Sequence, residues 1–285
     1  MPKSLKLFFF LIHHMIRDRF GIRAWISFLR NSIAMPWFQG LLPNRHRDDV
    51  EIHVLCQEAD MKMLSWALGS FLHHLEAYPK VVVHSDGSIT NATSQRFCEV
   101  FSRAKILHNK RNPAWHPLMT KLVDIIVLSE APKVIVLDSD VLFFQKPHEI
   151  IDFIEGRDTH DALMSGMLGA IDLDVDASYA QRHHLIEKRA GFLNSGLIVY
   201  RRDAIYRAQL DEYLEHSTRP FNHYFVEMSG WCSVIAQTNF KMLPVDTYIL
   251  KGRPREDTIM KHFTSSRRHE FFAYGINMVK KTLSS

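Results

Sequence analysis

Beyond its N-terminal part, the sequence alternates short β-branched apolar runs with stretches of helical periodicity, and this alternation restricts the fold most. The run 50–55 alternates polar and apolar residues as a strand does, and apolar residues then recur at three and four over 60–76, a predicted helix that Pro79 ends. Further strands are predicted at 80–84 and 133–137. Strands that alternate with helices form a mostly parallel sheet covered on both faces. The sequence therefore predicts an α/β fold with a Rossmann-like central sheet flanked by helices.

The remaining segments follow the same pattern. Helices are predicted at 93–104 and from Pro117 to about residue 130, with a short strand at 105–107 between them. The segment 158–191 is rich in Asp and ends in basic residues, which indicates a strand followed by a long mobile loop near the functional face. With 46% hydrophobic and 23% charged residues, the 285-residue chain is not of the disordered, collagen-like or coiled-coil classes.

The N-terminal part differs chemically from the rest of the chain. Residues 1–47 contain eight basic side chains and one acidic one, a net charge of +7, whereas the other 238 residues carry −3. The apolar run 5–16 is shorter than the roughly 20 residues of a membrane-spanning helix, and no small-residue cleavage site follows it. We expect a helical extension at 1–48 and a globular domain at 49–285. The extension either lies on an anionic membrane surface or packs on the body or on a partner subunit.

Charge and cysteine usage exclude further classes. The formal net charge of +4 is too small for a dedicated nucleic-acid binder. The three cysteines are far apart and lack a metal-ligand spacing, which argues against a disulfide framework and a structural zinc site. No Gly-x-Gly-x-x-Gly follows the first strand, which disfavours dinucleotide-dependent redox chemistry. We expect a cytoplasmic protein, with or without peripheral contact to a membrane.

Two carboxylates follow the clearest strand of the chain. Asp138 and Asp140 come directly after 133–137, so they emerge together at its carboxyl end. Only a cation or a proton relieves their repulsion, and a divalent ion that bridges the carboxylates to a diphosphate is the usual solution. Because Asp-x-Asp also occurs in solvated turns, the surrounding motifs decide its meaning.

Four short motifs stand in an informative order along the chain. They are Thr120-Lys121-Leu122, the strand and acids at 134–140, the segment 193–200, and Lys261-His262-Phe263. In this order they resemble glycosyltransferases of the GT-A fold, most closely the retaining family 8 group that includes glycogenin and bacterial galactosyltransferases. The resemblance covers about residues 50–265. It implies a GT-A fold and transfer of a sugar from a nucleoside diphosphate sugar, a UDP-sugar in the main, to a hydroxyl acceptor on a glycan, lipid or protein.

The resemblance also implies roles for single residues. Asp138 and Asp140 match the family's metal-binding pair, and His262 matches the distant histidine that completes the metal site. Two carboxylates and an imidazole suit Mn²⁺ better than Mg²⁺, which prefers an all-oxygen shell. Lys121 matches a basic position that meets the donor. Other positions match residues that contact the nucleotide, its ribose or the sugar: Cys56, Gln57, Asp86, Asp138, Ser139, Ser195 and Gly196. The tail departs from the family's glycine- and lysine-containing version, so Arg267 or Arg268 is expected to contact the diphosphate in its place.

Two residues are candidates for catalysis. Asn194 belongs to a segment that lines the sugar and acceptor site in the family, and Glu227 stands where the family's usual Asp-Gln pair is missing. Simpler structural explanations stand beside these roles: Lys121 as a helix-surface lysine, 194–196 as a tight turn at a strand edge, and 261–268 as a solvated basic face.

Two other functions compete with sugar transfer. Phosphatases of the haloacid dehalogenase type also place Asp-x-Asp at a strand end, but there it follows the first strand and continues in Gly-Thr, whereas Val141-Leu142 follows here. The second is a catalytically weak or silent protein that binds sugar nucleotides or serves as a membrane-associated scaffold, which the missing Asp-Gln pair makes credible. Consumption of donor with a panel of acceptors would separate the enzyme from the scaffold.

Overall fold

Strands rich in Val, Ile and Leu form the centre of the molecule. The computed structural model describes residues 3–33, 38, 40–108, 112–264 and 267–284, with the backbone alone for 3–7 and 33. The strands in these residues are β1 (Arg45–Cys56), β2 (Ala77–Ser85), β3 (Ala104–Leu107), β4 (Lys133–Leu137), β5 (Val141–Phe143), β6 (Ala162–Gly166), β7 (Leu193–Arg201), β8 (Phe240–Met242), β9 (Tyr248–Ile249) and β10 (Met260–His262).

Helices cover both faces of these strands and form the two ends of the described chain. They are α1 (Lys3–Arg17), α2 (Ile22–Ile33), α3 (Met61–Leu72), α4 (Asn91–Val100), α5 (Met119–Leu128), α6 (His148–Ile154), α7 (Ala177–Arg182), α8 (Arg207–His216), α9 (Val226–Ile235), α10 (Arg268–Glu270) and α11 (Ile276–Thr282). A π-helical turn, Phe271–Gly275, joins α10 to α11.

The central sheet confirms the predicted α/β fold with a helical N-terminal extension. Among the described residues it has seven strands in the order β3-β2-β1-β4-β7-β6-β8. Four of its six neighbouring pairs are parallel, and β7 is antiparallel to both β4 and β6. The order of the parallel strands reverses beside β1 and β4, the kind of position at which open α/β sheets bind ligands.

The alternation along β4 explains why the sheet has a core on each face. Ile135 and Leu137 belong to the apolar cluster that also contains α3 and α4. Val134 and Val136 belong to the opposite cluster with α5, α8 and α9. Because successive side chains of a strand point to opposite faces, an uninterrupted apolar run is required here. Each buried aliphatic side chain of this kind contributes about 1.5–3 kcal/mol of transfer free energy.

A smaller sheet brings β10 close to the carboxyl end of β4. The described part of this sheet has the order β5-β10-β9, with β10 antiparallel to β5 and parallel to β9. Its register pairs His262 with Val141, the residue directly after Asp140. The Phe263 amide also donates to the Asp140 carbonyl over 2.8 Å.

The predicted helix at 60–76 is too long, and the role predicted for Pro79 is wrong. The helix α3 ends at Leu72, and Pro79 lies within β2. In the pairing of β1 with β2, His46 faces Tyr78 and Glu51 faces Lys80, so the register shifts at Pro79. Proline has no amide to donate, and a bulge in the ladder is a place where a strand tolerates it.

The segment 158–191 also differs from its prediction of a strand followed by a long loop. The strand β6 is present, but the excursion contains α7, whose first turn is capped by the Asp176 carboxylate accepting from the Tyr179 amide over 2.9 Å. A 3₁₀ turn, Ala190–Phe192, then leads into β7. The Asp-rich composition therefore serves in part to cap a helix.

The N-terminal helices pack on the C-terminal helices. The side-chain amide of Asn31 donates to the Phe272 carbonyl over 2.8 Å and to Asn277 Oδ1 over 3.1 Å. Phe28 is fully buried, and its ring meets that of Phe272 edge-on at 6.1 Å. This is the packed alternative among the two arrangements expected for the extension. None of the helices in the described ranges is long and apolar enough to cross a bilayer.

Candidate active site

Charged side chains meet at the carboxyl end of β4. Asp138 and Asp140 follow this strand, and the Asp138 amide donates to the Gly196 carbonyl of β7 over 2.9 Å, which continues the β4–β7 pairing to the edge of the sheet. His262 reaches the same edge from β10, because that strand pairs with β5 immediately beyond Asp140. The pairing of β4 with β7 and that of β10 with β5 therefore bring together residues more than a hundred positions apart.

The three side chains lie within the reach of a single ion. His262 Nε2 is 3.4 Å from Asp138 Oδ2 and 3.1 Å from Asp140 Oδ1. One ligand atom from each of the three residues lies within 4.8 Å of both others. Neighbouring ligands of an octahedral ion with bonds of about 2.1 Å are about 3.0 Å apart. The spacing of these atoms therefore fits one octahedral divalent cation with little movement.

Asn194 determines which nitrogen of His262 faces the acids. Its Oδ1 accepts the Gly196 amide over 3.0 Å, which identifies that atom as the oxygen of the carboxamide. The same oxygen is 3.0 Å from His262 Nδ1, so Nδ1 must carry a proton and donate it. In neutral His262 the lone pair then lies on Nε2 and points toward Asp138 and Asp140. A lone pair directed at two carboxylates is stabilised by a positive centre between them, either a proton on Nε2 or a metal ion.

Gly196 leaves the space that the His262 ring occupies. A Cβ at this position would lie 2.5 Å from His262 Cε1 and closer still to Nδ1. The residue is therefore required by the close approach of β7 to the imidazole. The segment 194–196 lies inside β7, so the alternative that it is a tight turn at a strand edge is wrong.

Lys121 lies behind Asp138, in the interior. The residue is 1% exposed, which excludes the alternative of a helix-surface lysine. Its ammonium contacts Asp138 Oδ1 at 2.7 Å and Glu227 Oε1 at 3.2 Å, and it donates to the Ser195 carbonyl over 2.6 Å. Burial disfavours its charged form, but the carboxylates of Asp138 and Glu227 outweigh burial and raise the pKa of Lys121 above its ordinary value.

Arg268 holds the other acid of the pair. Its Nε donates to Asp140 Oδ2 over 2.7 Å, and its Nη1 donates to Asp60 Oδ2 over 3.1 Å. Burial raises the pKa of Asp140, but Arg268 and His262 outweigh it and hold the pKa of that carboxyl well below its ordinary value. Asp140 is therefore ionised at neutral pH.

The two cations leave a defined set of ligand atoms. Lys121 contacts Oδ1 of Asp138, and Arg268 contacts Oδ2 of Asp140. The remaining oxygen of each acid faces His262 Nε2. The arrangement thus presents two carboxylate oxygens and one imidazole nitrogen to the same point, a donor set that suits Mn²⁺.

Glu227 and the serines lie beside this group. Glu227 is 4% exposed; its Oε2 accepts from the Ser195 hydroxyl over 3.1 Å, and its Oε1 faces Lys121. Burial, opposed by Lys121, raises the pKa of Glu227. Ser139 is buried between the two acids. The Glu227 carboxylate is therefore buried beside the site, where it contacts Lys121 and Ser195.

The positions matched to the nucleotide lie at the ends of β1 and β2. The Asp86 amide donates to the Cys56 carbonyl over 2.9 Å, which joins the two strand ends. Gln57 follows, and its side-chain amide donates to Asp60 Oδ2 over 3.0 Å, the same oxygen that Arg268 contacts. Asp60 thus links these residues to the acids at the end of β4.

Arg267 is set apart from the acids. It donates to Glu270 Oε1 over 2.9 Å, and its side chain is 43% exposed. The structure therefore places Arg268, and not Arg267, in contact with the acid pair. Lys261, by contrast, is fully buried and pairs with Glu270 at 3.3 Å, so 261–268 is not a uniformly solvated basic face.

Asp60 is the one site residue that the sequence interpretation missed. It is 5% exposed, and burial raises its pKa against the opposing effect of Arg268. Its position offered a signal: it is an acid four residues beyond a parallel strand whose carboxyl end lies at the same edge as that of β4.

Comparisons with known proteins find their matches among solved structures. Neither the comparison with protein families nor that with curated proteins finds a match. The bifunctional glycosyltransferase WbbM matches with a TM-score of 0.55 and 13% identity, over 87% of this chain and 54% of that one. This chain thus spans about half the length of WbbM.

Two further glycosyltransferases give similar values. The galactosyltransferase LgtC, in complex with donor and acceptor sugar analogs, matches with a TM-score of 0.51 and 11% identity over 82% of this chain and 95% of that one. GlyE of Streptococcus pneumoniae TIGR4 matches with a TM-score of 0.53 and 12% identity over 85% and 64%. The fold is of the GT-A type. The sheet and helices described above therefore have the fold that these solved structures share.

Proposed function

We propose that the protein is a metal-dependent glycosyltransferase that moves a sugar from a nucleoside diphosphate sugar, a UDP-sugar in the first place, to a hydroxyl acceptor. The observation that carries this proposal is the direction of the His262 lone pair. The lone pair on Nε2 points to one oxygen of Asp138 and one oxygen of Asp140. The hydrogen bond from His262 Nδ1 to the Asn194 carboxamide oxygen fixes this orientation of the ring. The fold, which known glycosyltransferases share, supports this reaction class by analogy.

The group that these residues fit is a divalent cation, Mn²⁺ before Mg²⁺. Such an ion supplies positive charge to the diphosphate as the bond from sugar to phosphate breaks. Asp138, Asp140 and His262 would hold it. Lys121 and Arg268 bind the outer carboxylate oxygens, so they hold both carboxylates in place before a donor arrives.

Lys121 also links the metal side of the site to Glu227. We propose that Glu227 is a positioning residue, because its two oxygens contact Lys121 and Ser195. No protein carboxylate is then assigned as a strong base toward the acceptor. Retention of configuration fits this, because the departing phosphate oxygen can take the proton of the acceptor hydroxyl. Asn194, next to Ser195, would meet the transferred sugar.

The nucleotide would lie across the ends of β1 and β2. Cys56, Gln57 and Asp86 border this region, with Ser139 and Gly196 at the diphosphate end. Arg268 bridges Asp60 and Asp140 between the two ends, and the half-exposed Arg267 lies beside it. We propose that these residues bind the donor. Its acceptor is a hydroxyl of a glycan, lipid or protein.

Packing on the body leaves apolar side chains of the N-terminal helices exposed, and we propose that these side chains touch a membrane surface. Phe9, Ile16, Ile22 and Ile26 are 54% to 79% exposed, and four arginines lie on the same two helices or between them. Such a combination favours binding to anionic lipid. Replacement of Ile22 and Ile26 by Ser should release the protein from sedimenting anionic vesicles, and unchanged sedimentation would contradict this proposal.

The domain itself is proposed to span 49–285, although its first strand already begins at Arg45.

The test of the proposed function is a screen of nucleotide sugars by thermal shift, followed by donor consumption. We expect a UDP-sugar to raise Tm only when Mn²⁺ is present, and the wild-type protein to release UDP from it. Asp140→Asn should abolish both effects, whereas Asp203→Asn, an exposed acid distant in the chain, should retain them. Binding of donor and Mn²⁺ without consumption across a panel of acceptors would support the silent scaffold instead. Turnover that survives in Asp140→Asn would refute the metal-dependent mechanism.

A further inference from the structure

A second group of metal-ligand side chains joins α1 to the C-terminal helices. His14 and Asp18 are four residues apart and face the same side of the end of α1, while His269 belongs to α10. One ligand atom from each of the three lies within 4.8 Å of both others. His269 Nε2 is 3.1 Å from Asp18 Oδ2. The group lies outside the candidate active site.

The surroundings of His14 favour a bound ligand. Its side chain belongs to a residue that is 7% exposed, and Nδ1 has no hydrogen-bond partner among the described residues. A buried polar atom without a partner is destabilising, and a bound ion would supply the missing contact.

Two features at the end of α1 are locally unfavourable. Asp18 lies at the carboxyl end of the helix, where the helix dipole disfavours an acid. The next residue, Arg19, has a left-handed backbone with φ of 51°, a conformation that is unfavourable for a non-glycine residue. The Arg19 amide donates to the Ile16 carbonyl over 3.1 Å and closes the turn. Both costs are incurred where Asp18 meets His269, as is typical of functional sites.

We propose that His14, Asp18 and His269 bind one divalent transition-metal ion, with Zn²⁺ as the best match. Two imidazoles and a carboxylate, with a fourth position for water, form a common tetrahedral zinc site. Ligands of such a site are about 3.3 Å apart, close to the measured separation between His269 and Asp18. Arg17 contacts Asp18 Oδ1 at 2.7 Å and Oδ2 at 3.2 Å, so the ion displaces one contact of a half-exposed guanidinium.

A cavity beside Asp18 gives an ion access to this group, and the bound ion also affects the candidate active site. Asp18 lines a cavity of about 340 Å³ between the end of α1 and the C-terminal helices, which Arg253 and Tyr274 also line. His269 directly follows Arg268, the residue that contacts Asp140 and Asp60. The bound ion fastens the N-terminal helix to α10 and fixes the start of the segment that brings Arg268 to the acids.

The test is zinc binding by full-length protein freed of metal with a chelator. It is made in the His262→Gln background, so that Asp138 and Asp140 lack their imidazole. Isothermal titration with Zn²⁺ should show one site, and saturation should raise Tm by about 5 °C. Adding His14→Gln should weaken binding at least about tenfold. Adding His13→Gln, the exposed neighbouring histidine, should change neither value.

Asp18→Asn is the second variant, because this exposed residue can be replaced without disturbing the core. It should also weaken zinc binding by at least about tenfold and abolish most of the rise in Tm. Absence of zinc binding in the His262→Gln protein would overturn the proposal. So would zinc binding that is unchanged in both His14→Gln and Asp18→Asn.

Discussion

Two histidine–carboxylate groups in this molecule have nearly the same separation and opposite proton directions. In the interior, His53 Nε2 is 3.2 Å from Glu51 Oε2; at the end of β4, His262 Nε2 is 3.1 Å from Asp140 Oδ1. The interior carboxylate also accepts the amides of Glu130 and Ala131 over 2.9 and 3.2 Å. The distance alone therefore does not distinguish a structural pair from a ligand site.

The hydrogen-bond partners of the two imidazoles make the distinction. His53 Nδ1 is 2.9 Å from His84 Nε2. Because a carboxylate only accepts, His53 donates from Nε2 to Glu51 and accepts from His84 at Nδ1, so both protons point toward the acid. At the candidate site the Asn194 oxygen takes the proton of His262, and the lone pair faces the acids. In the interior group the proton on His53 Nε2 lies between the ring and the carboxylate, whereas at the end of β4 that position is left for a cation.

The largest expected effect is on turnover. Asp140→Asn should lower the rate of donor consumption by about 10³-fold, because several kcal/mol of charge stabilisation depend on the ion it helps to hold. Glu51→Gln should leave the rate per folded molecule unchanged. Steady-state rates of UDP release, normalised to folded protein, measure both. An equal loss in the two variants would remove the distinction between the groups.

The next effect tests the position of the His262 ring. Gly196→Ala should displace the imidazole and weaken Mn²⁺ binding by about 10–100-fold, because the new Cβ overlaps it. Gly21→Ala is the matched control, since its Cβ would have no heavy atom within 4 Å. Isothermal titration with Mn²⁺ compares the two. Unaltered affinity in Gly196→Ala would show that His262 is not a ligand.

These two groups also show what the sequence could and could not reveal. The limits of β4 and the positions of Asp138 and Asp140 are those predicted from the apolar run, because a strand covered on both faces gives a nearly continuous apolar run. The pairing of β10 with β5 could not be predicted from periodicity, since both strands have three residues. The proton direction on His262 depends on a contact between strands that no local pattern encodes.

Other errors have equally specific causes. Pro79 was expected to end a helix, but a register shift between β1 and β2 accommodates it, and only the pairing reveals that shift. Lys121 is on the expected helix, yet its burial depends on Glu227, a residue brought close by the packing of α9 against α5. Asp60 was missed because its partner, Arg268, is more than two hundred residues away.

A moderate effect on stability should come from the interior group. Glu51→Gln should lower the free energy of unfolding by about 2 kcal/mol, because hydrogen bonds to a charged acceptor are replaced by weaker ones. For a chain of this size Tm would fall by about 5 °C. Mn²⁺ affinity should be unchanged. Thermal unfolding followed by circular dichroism measures the loss, and a stability equal to that of the wild type would contradict the role of this group.

The smallest effect is the pH dependence of stability. Burial, together with His53, lowers the pKa of His84 to about 3 from its ordinary value of 6.5. The unfolded chain therefore binds a proton between pH 6.5 and about 3 that the folded chain does not, so stability falls as the pH falls through this window. The pKa of Glu51, held at about 2 by His53 and two amides despite its burial, adds a loss below pH 4.5.

His84→Asn should flatten this profile above pH 4.5. Its Tm should change less between pH 7 and pH 5 than that of the wild type, even if its Tm at pH 7 is lower. Parallel profiles in the two proteins would show that His84 is not the group responsible.

Anomalous scattering from crystals grown with Mn²⁺ and UDP tests the central claim most directly. The account predicts a single strong peak at the end of β4, about 2.1 Å from Asp138 Oδ2, Asp140 Oδ1 and His262 Nε2, with Lys121 and Arg268 still on the outer oxygens. Bound UDP without a peak among these three atoms, or a peak that leaves His262 Nε2 without a metal bond, would contradict it.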